Sequence, residues 1–109
     1  MISKKKISDT NDIPLVSDID KIIHEPARLL IMSLLYVVEK ADFQFLKIQT
    51  KLTDGNLSSH ISKLEDAGYV LVEKKFKGKK PMTDLSLTED GRAAYTRYRE
   101  EMEKIFNKF

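Results

Sequence analysis

The chain of 109 residues contains no cysteine. It therefore forms no disulfide, no thiolate metal site and no thiol redox switch, which excludes a sensor that holds its metal through cysteine. The two histidines, His24 and His60, lie far apart in sequence, so we expect each to serve locally. A site of histidine and carboxylates remains compatible with the composition. We predict no metal site and no bound cofactor.

Long apolar runs are also missing. The longest, Leu29–Val38, is interrupted by Ser33 and is too short to span a membrane. The lysines at positions 4–6 are not followed by a continuous apolar stretch, so no signal peptide is visible. We therefore expect a soluble cytoplasmic protein that has no membrane partner.

Patterns that carry catalysis are absent as well. The glycines are isolated, so no glycine-rich phosphate loop is present. No spacing aims a serine, a histidine and an acid at one another, and the acidic pairs Glu65–Asp66 and Glu89–Asp90 are explained by solvation and by the helix dipole. We predict that the protein has no catalytic residues and is not an enzyme.

The composition fits one modest core, because 41% of the residues are hydrophobic. We expect a flexible tail over residues 1–17, whose lysines could act as a DNA-binding arm if ordered, and one domain over residues 18–109. A short helix is expected to begin near Asp18. Pro26 suits the first turn of the next helix, which we expect to reach about Lys40. That helix is apolar on nearly every side, so a second element must pack against the face that the rest of the domain leaves exposed.

The central segment from Thr53 to Gly68 predicts an amphipathic helix. An apolar stripe at i, i+4 and i+7 consists of Leu57, Ile61 and Leu64. Thr53 can cap its start, and Gly68 can end it in the left-handed conformation. The opposite face carries short polar side chains that allow close approach to base edges and phosphates. This set and its flanks comprise Gly55, Asn56, Ser58, Ser59, His60, Ser62 and Lys63. An ordinary solvated face is the alternative, although more Glu, Lys and Arg would be expected there.

A hairpin is predicted next, with strands over 69–75 and 82–87 and a turn over 76–81 in which Gly78 supplies the bend. Five lysines and one acid lie between Glu73 and Lys80. A flexible lysine turn suits phosphate contacts, which give salt-sensitive affinity and little sequence information. A solubilising turn or a guard of the sheet edge is the alternative.

The C-terminal helix, residues 89–109, begins after the capping residue Thr88. A heptad-like seam runs along it, made of Tyr95, Tyr98, Met102, Ile105 and Phe109. The seam could line a ligand pocket or fold back onto the chain's own core. Together with Leu30 and Leu34 of the apolar first helix, it favours a twofold dimer. A dimer would place two recognition helices about one DNA turn apart.

The segments DGNLSSHISKLEDAGYV and EKKFKGKKPMTDLSLTEDGRAAY resemble winged-helix transcriptional regulators, most closely the small single-domain group related to the MarR-like and ArsR-like families. HEPARLLIMSLL resembles the first helix of that family, DFQFLKIQTKLT the second, and SLTEDGRAAY the third strand and last helix. The family usually caps its second helix with Ser or Thr, where Gln44 stands here. The resemblance implies that DNA is faced by helix residues Asn56, Ser58, Ser59, His60 and Lys63, and by wing residues Lys75, Lys77, Lys79 and Lys80.

We therefore predict an α+β fold that is mainly helical, a winged helix-turn-helix with a small antiparallel hairpin and an added C-terminal dimerisation helix. The expected function is sequence-specific regulation of transcription by a homodimer on double-stranded DNA. A winged helix that binds another protein is the alternative. A small-molecule effector is left open, because nothing in the sequence identifies one.

Overall fold

The computed structural model describes residues 13–109, which form four α-helices and a three-stranded antiparallel sheet in the order β1-β3-β2. The elements are α1 (Pro26–Val37), β1 (Ala41–Asp42), α2 (Phe43–Thr50), α3 (Asp54–Asp66), β2 (Val70–Lys77), β3 (Lys80–Leu87) and α4 (Glu89–Lys108). This arrangement confirms the predicted α+β fold with its hairpin and long C-terminal helix. Most of the predicted tail, including its lysines, lies outside the described residues.

Helix α1 runs through the centre of the domain. Pro26 occupies its first turn as predicted, and the side chain of Glu25 caps it by accepting a hydrogen bond from the Arg28 amide at 2.8 Å. Ile31, Met32 and Leu35 are fully buried in the core. The helix ends at Val37, and both Val37 and Leu30 are exposed, so it is not covered on every side within one chain.

The helix predicted from Asp18 is wrong. A 3₁₀ turn occupies Val16–Asp18, and the chain then turns tightly as far as His24. One carboxylate oxygen of Asp20 accepts hydrogen bonds from the amides of Ile22 and Ile23 at 2.8 and 3.1 Å. An aspartate that bonds to the backbone two and three residues ahead offers an alternative to helical hydrogen bonds, and here that alternative prevails. Ile23 is nevertheless fully buried.

Two side-chain hydrogen bonds tie this N-terminal segment to the domain. The hydroxyl of Tyr69 donates to Asp20 at 2.5 Å, and Nδ1 of His24 lies 2.7 Å from the hydroxyl of Tyr98 on α4. Burial, and next the hydrogen bond to Asp20, raise the pKa of Tyr69 to about 12. The folded state therefore favours the neutral phenol.

We expect the protein to lose stability as the pH rises from about 10, the pKa of a tyrosine in an unfolded chain, toward 12, its value for Tyr69 in the fold. In that window the unfolded chain releases a proton that the folded chain retains. The measurement is the urea midpoint as a function of pH. The variant Tyr69→Phe should show a shallower decline, while Tyr98, whose pKa is also raised by burial, contributes to both. Equal slopes would contradict the assignment.

The second helix has a different cap from the one expected. The side chain of Asp42 accepts a hydrogen bond from the Phe45 amide at 2.7 Å, so Gln44 lies within the first turn. Asp42 also belongs to β1, where it pairs with Asp84 of β3, and the neighbouring Ala41 pairs with Leu85. The strand and the cap together fix where α2 begins, and α2 in turn positions α3.

The start of α4 packs tightly against Tyr69, which lies between α3 and β2. Thr88 caps α4 by accepting from the Gly91 amide at 2.9 Å, and its own amide donates to the Tyr69 carbonyl at 3.0 Å. Gly91 is buried directly against that carbonyl, and a Cβ atom at Gly91 would lie 2.0 Å from the Tyr69 oxygen. Only glycine fits at this point of contact between α4 and β2.

Candidate nucleic-acid interface

Helix α3 has the boundaries and the buried stripe that the sequence predicts. Thr53 caps it by accepting from the Asn56 amide at 3.2 Å, and Gly68 follows it with a φ of +81°. Leu57, Ile61 and Leu64 are buried in the core. Because this stripe fixes the rotation of the helix about its axis, the opposite face must point away from the domain.

That opposite face is polar and unpartnered. Five of the predicted DNA-facing residues on α3 are exposed: Asn56, Ser58, Ser59, Ser62 and Lys63. Within residues 13–109, none of their side chains has a hydrogen-bond or ion-pair partner. Short, unpaired donors and acceptors on one helix face are available to an external ligand that displays hydrogen-bonding groups in a groove.

The only acid in the first turn of α3 is partly neutralised. Nζ of Lys47, near the end of α2, lies 2.8 Å from a carboxylate oxygen of Asp54. Both side chains are well exposed, so the pair adds little stability. The pair acts on the local charge: Lys47 offsets the negative charge of Asp54 at the N-terminus of α3, which would otherwise repel a polyanion.

The hairpin is more regular than the sequence suggests. Its strands continue into the predicted turn as far as the pair Lys77 and Lys80, so the connection shrinks to Gly78 and Lys79. Gly78 takes a φ of +65°, as a two-residue turn of type II′ requires at its first central position. The predicted turn over residues 76–81 is therefore too long, since the strands stay paired up to Lys77 and Lys80.

The four predicted wing lysines have different surroundings. Lys77, Lys79 and Lys80 are exposed and, within the described residues, have no ion-pair partner. Lys75 instead pairs with Asp84 across the hairpin, with Nζ and Oδ2 separated by 2.5 Å. Asp84 is only 7% exposed, and its hydrogen bond raises the pKa of Lys75. Lys75 thus neutralises a buried carboxylate and stabilises the fold.

Sequence reasoning left Lys74 out of the site. Residues alternate between the two faces of β2, which places Lys74 on the same side as Val70 and Val72. Lys74 lines a shallow groove with Ser58 and Ser62 of α3. The signal was present in the strand periodicity, because the buried Val70 and the half-buried Val72 identify the face that points toward α3.

We expect Lys75→Met to lower the stability of the fold and Lys77→Met to weaken the contact with DNA. Removing Lys75 leaves the buried Asp84 without its cation, so the urea midpoint should fall while the salt dependence of DNA binding stays the same. Removing Lys77 should leave the midpoint unchanged and lower the salt slope by about 2 in a dimer, since one phosphate contact is lost in each subunit. Urea unfolding and fluorescence anisotropy at several salt concentrations measure the two effects. Equal stability losses in both variants would contradict the special role of Lys75.

His60 points partly inward, unlike the other predicted residues of α3. Its Nδ1 lies 3.1 Å from Nη1 of Arg28 on α1, and 3.8 Å from Oε1 of Glu25. The Arg28 amide, which donates to Glu25, lowers the pKa of that carboxyl and keeps it charged. Arg28 is a residue of this site that the sequence patterns did not reveal, because it stands alone in an apolar helix.

The predicted dimer residues divide between the core and the surface. Tyr98 is 6% exposed, so its own chain already covers it. The hydroxyl of Tyr95 lies 2.9 Å from that of Ser33 on α1, and Leu34, Met102 and Ile105 are half-buried. Leu30 and Phe109 are exposed, as is Phe106, which the heptad pattern omits and which is 71% exposed. A groove of about 420 Å³ between α1 and α4 is lined by Leu29, Met102 and Phe106, among others.

Other kinds of site find no support among the described residues. No three side chains of His, Cys, Asp or Glu come close enough there to hold a metal ion. Within the same residues, no helix is both long and apolar enough to cross a bilayer.

Comparison with known proteins agrees with this geometry. A family model described as a winged helix DNA-binding domain matches residues 27–106. An uncharacterised protein of Methanocaldococcus jannaschii is 38% identical over 78 residues, which cover 72% of this chain and 85% of that protein.

Solved structures show the same fold. A transcriptional regulator homologue from Pyrococcus horikoshii OT3 superposes with a TM-score of 0.75 and 32% identity, over 79% of this chain and 85% of that one. NadR, solved in complex with 4-hydroxyphenylacetate, superposes with a TM-score of 0.66 and 26% identity, over 79% of this chain and 63% of that one. AbfR, at 18% identity and a TM-score of 0.55 over 72% of this chain and 60% of that one, shares the fold.

Proposed function

Since this chain belongs to the family of winged helix DNA-binding domains, we propose that it is a transcriptional regulator that binds specific DNA sequences. Helix α3 enters the major groove, and the hairpin of β2 and β3, the wing, lies on adjacent phosphates. The observation that carries the proposal is the polar face of α3, whose side chains have no partner among residues 13–109, beside an exposed cationic hairpin. Family and fold favour this function over an enzymatic one.

Affinity comes mainly from the wing. Its segment from Glu73 to Lys80 holds five lysines and one acid, although the whole chain has a net charge of only +2. Phosphate contacts of this kind release counterions and make binding steeply dependent on salt. The paired strands hold the backbone of Lys77 and Lys80 opposite each other, so both lysines project from one fixed segment of the hairpin.

Sequence preference comes from α3. Asn56 and Ser59 lie on the exposed face and carry no competing intramolecular hydrogen bonds within the described residues. Asparagine can form a bidentate pair with adenine in the major groove, and serine can pair with several bases. Lys63, on the same face, reaches either a guanine edge or a phosphate.

The working unit is a homodimer. Leu30 on α1, Phe106 on α4 and Phe109 directly after it are exposed apolar side chains, and Phe106 lines the groove between the two helices. A second copy would cover this surface by a twofold contact. Tyr98 stays in the core of its own chain in this arrangement, and Met102 lies at the contact. The dimer presents two α3 helices to one face of the duplex.

Replacing Asn56 or Ser59 with alanine should change which sites are preferred more than it changes non-specific affinity. Loss of one base contact removes about 1–3 kcal/mol of discrimination, which is roughly five- to 150-fold. Competition binding against a set of duplexes that differ by one base pair measures the ranking. Thr96→Ala, on the exposed side of α4, is the matched control. An unchanged ranking would show that Asn56 and Ser59 do not read bases.

A further inference from the structure

Arg28 is a buried cation whose position is fixed by the fold. The residue is 9% exposed and lies in the first turn of α1. Its Nε donates to the carbonyl of Ile22 at 2.6 Å, which anchors the planar guanidinium to the preceding turn. The rest of its rigid fork of donors is then aimed in one direction.

The guanidinium points toward His60 on α3. Nη1 of Arg28 lies 3.1 Å from Nδ1 of His60, which is hydrogen-bond distance. A guanidinium only donates, so Nδ1 must be the acceptor and must carry no proton. The Oε1 atom of Glu25, 3.8 Å from Nδ1, is too far to compete for a proton there. His60 is therefore the neutral tautomer with its hydrogen on Nε2.

The proton on Nε2 is available to an external acceptor. Among residues 13–109, nothing accepts a hydrogen bond from Nε2, and every fully buried side-chain nitrogen or oxygen atom there has a partner, so Nε2 must reach solvent. The side chain of His60 is 21% exposed, so part of its ring reaches the surface. It follows Ser59 directly, at the edge of the polar face of α3.

We propose that Arg28 is a positioning residue, which holds the His60 ring so that Nε2–H donates to a DNA phosphate oxygen at the edge of the groove. This inference rests on the proposed function, because it names a contact of the same interface. Its position at the edge of the polar face favours the backbone over base edges, so the contact fixes the register of α3 and adds no sequence preference. Arg28 itself does not touch DNA.

The tautomer of His60 is tested first, without DNA. Long-range ¹H–¹⁵N NMR at neutral pH should show the Nε2–H form for His60, with assignment by His60→Gln and with His24 as the internal reference. Replacing Arg28 with Gln should change that signature and leave the signals of His24 in place. A wild-type His60 that carries its proton on Nδ1, or that is charged at neutral pH, would overturn the proposal even if the Arg28 variant fails to fold.

A double-mutant cycle then tests the route through His60. His60→Ala should weaken binding to all duplexes by about tenfold, for two lost hydrogen bonds per dimer. Arg28→Gln should cause a similar loss in the wild type and almost none in the His60→Ala background. Losses that multiply would refute the positioning role. A wild type that binds no duplex would refute the proposed function instead, and the NMR result would stand independently.

Discussion

Replacing Gly91 with alanine should destabilise the protein by about 3 kcal/mol or more, since the new methyl group meets backbone that cannot rotate aside. The Cβ atom would lie 2.0 Å from the carbonyl oxygen of Tyr69 and 2.8 Å from its carbonyl carbon. The same carbonyl accepts the Thr88 amide. Relief of the clash therefore requires α4 to move away from β2. That movement breaks the packing and the hydrogen bond that join the start of α4 to Tyr69.

The matched control is Gly55→Ala. Gly55 also lies in the first turn of a helix, but a Cβ atom there meets nothing within 4 Å. Alanine is the better helix former by about 1 kcal/mol, so this variant should be neutral or slightly more stable. Urea unfolding followed by circular dichroism measures both. If Gly91→Ala were as stable as Gly55→Ala, the close packing of α4 on Tyr69 would be wrong.

Replacing Lys77, Lys79 and Lys80 together with alanine should weaken binding to every duplex by at least ~10²-fold at physiological salt. All three are exposed and have no ion-pair partner among the described residues, so their loss should leave the fold intact. Each lost phosphate contact lowers the salt slope by about 0.9, which amounts to roughly 5 for a dimer that uses all three lysines in both subunits. Anisotropy titrations from low to physiological salt give both quantities.

The control removes three cations elsewhere. Arg97, Arg99 and Lys104 are exposed on α4, so their replacement changes the net charge equally but leaves the wing intact. A salt slope that falls as much in this control as in the wing variant would show that the effect is one of net charge. An unchanged slope in the wing variant would exclude a phosphate-binding wing.

Features that depend on neighbours along the chain were predictable from the sequence. The stripe of Leu57, Ile61 and Leu64, the Thr53 cap and the Gly68 stop follow from helical geometry, and the structure shows all of them. The hairpin could be located for the same reason, since Gly78 and the alternating strands are local signals. The family resemblance added the order of the elements, which periodicity alone does not give.

Features that depend on a partner distant in sequence could not be predicted this way. Lys75 looked like the other wing lysines, but in the hairpin it lies diagonally across from the buried Asp84 and its side chain pairs with that carboxylate. Asp20 redirects its segment through local bonds to the Ile22 and Ile23 amides, but its bond to Tyr69 is distant in sequence. His60 lies on the expected helix, yet its partner Arg28 is 32 residues away. In each case a polar side chain has a tertiary partner that local periodicity cannot identify.

The most direct test of the account is the selection of bound sites from a random duplex library by the wild-type protein. A homodimer that reads DNA with two α3 helices predicts enrichment of a pseudo-palindrome whose half-sites have centres about one helical turn apart. The same selection with Asn56→Ala should return a site with altered half-site bases and the same spacing. If no sequence is enriched and the protein binds duplex only weakly at low salt, the proposed DNA reading is contradicted. That result would favour a winged helix that binds another protein.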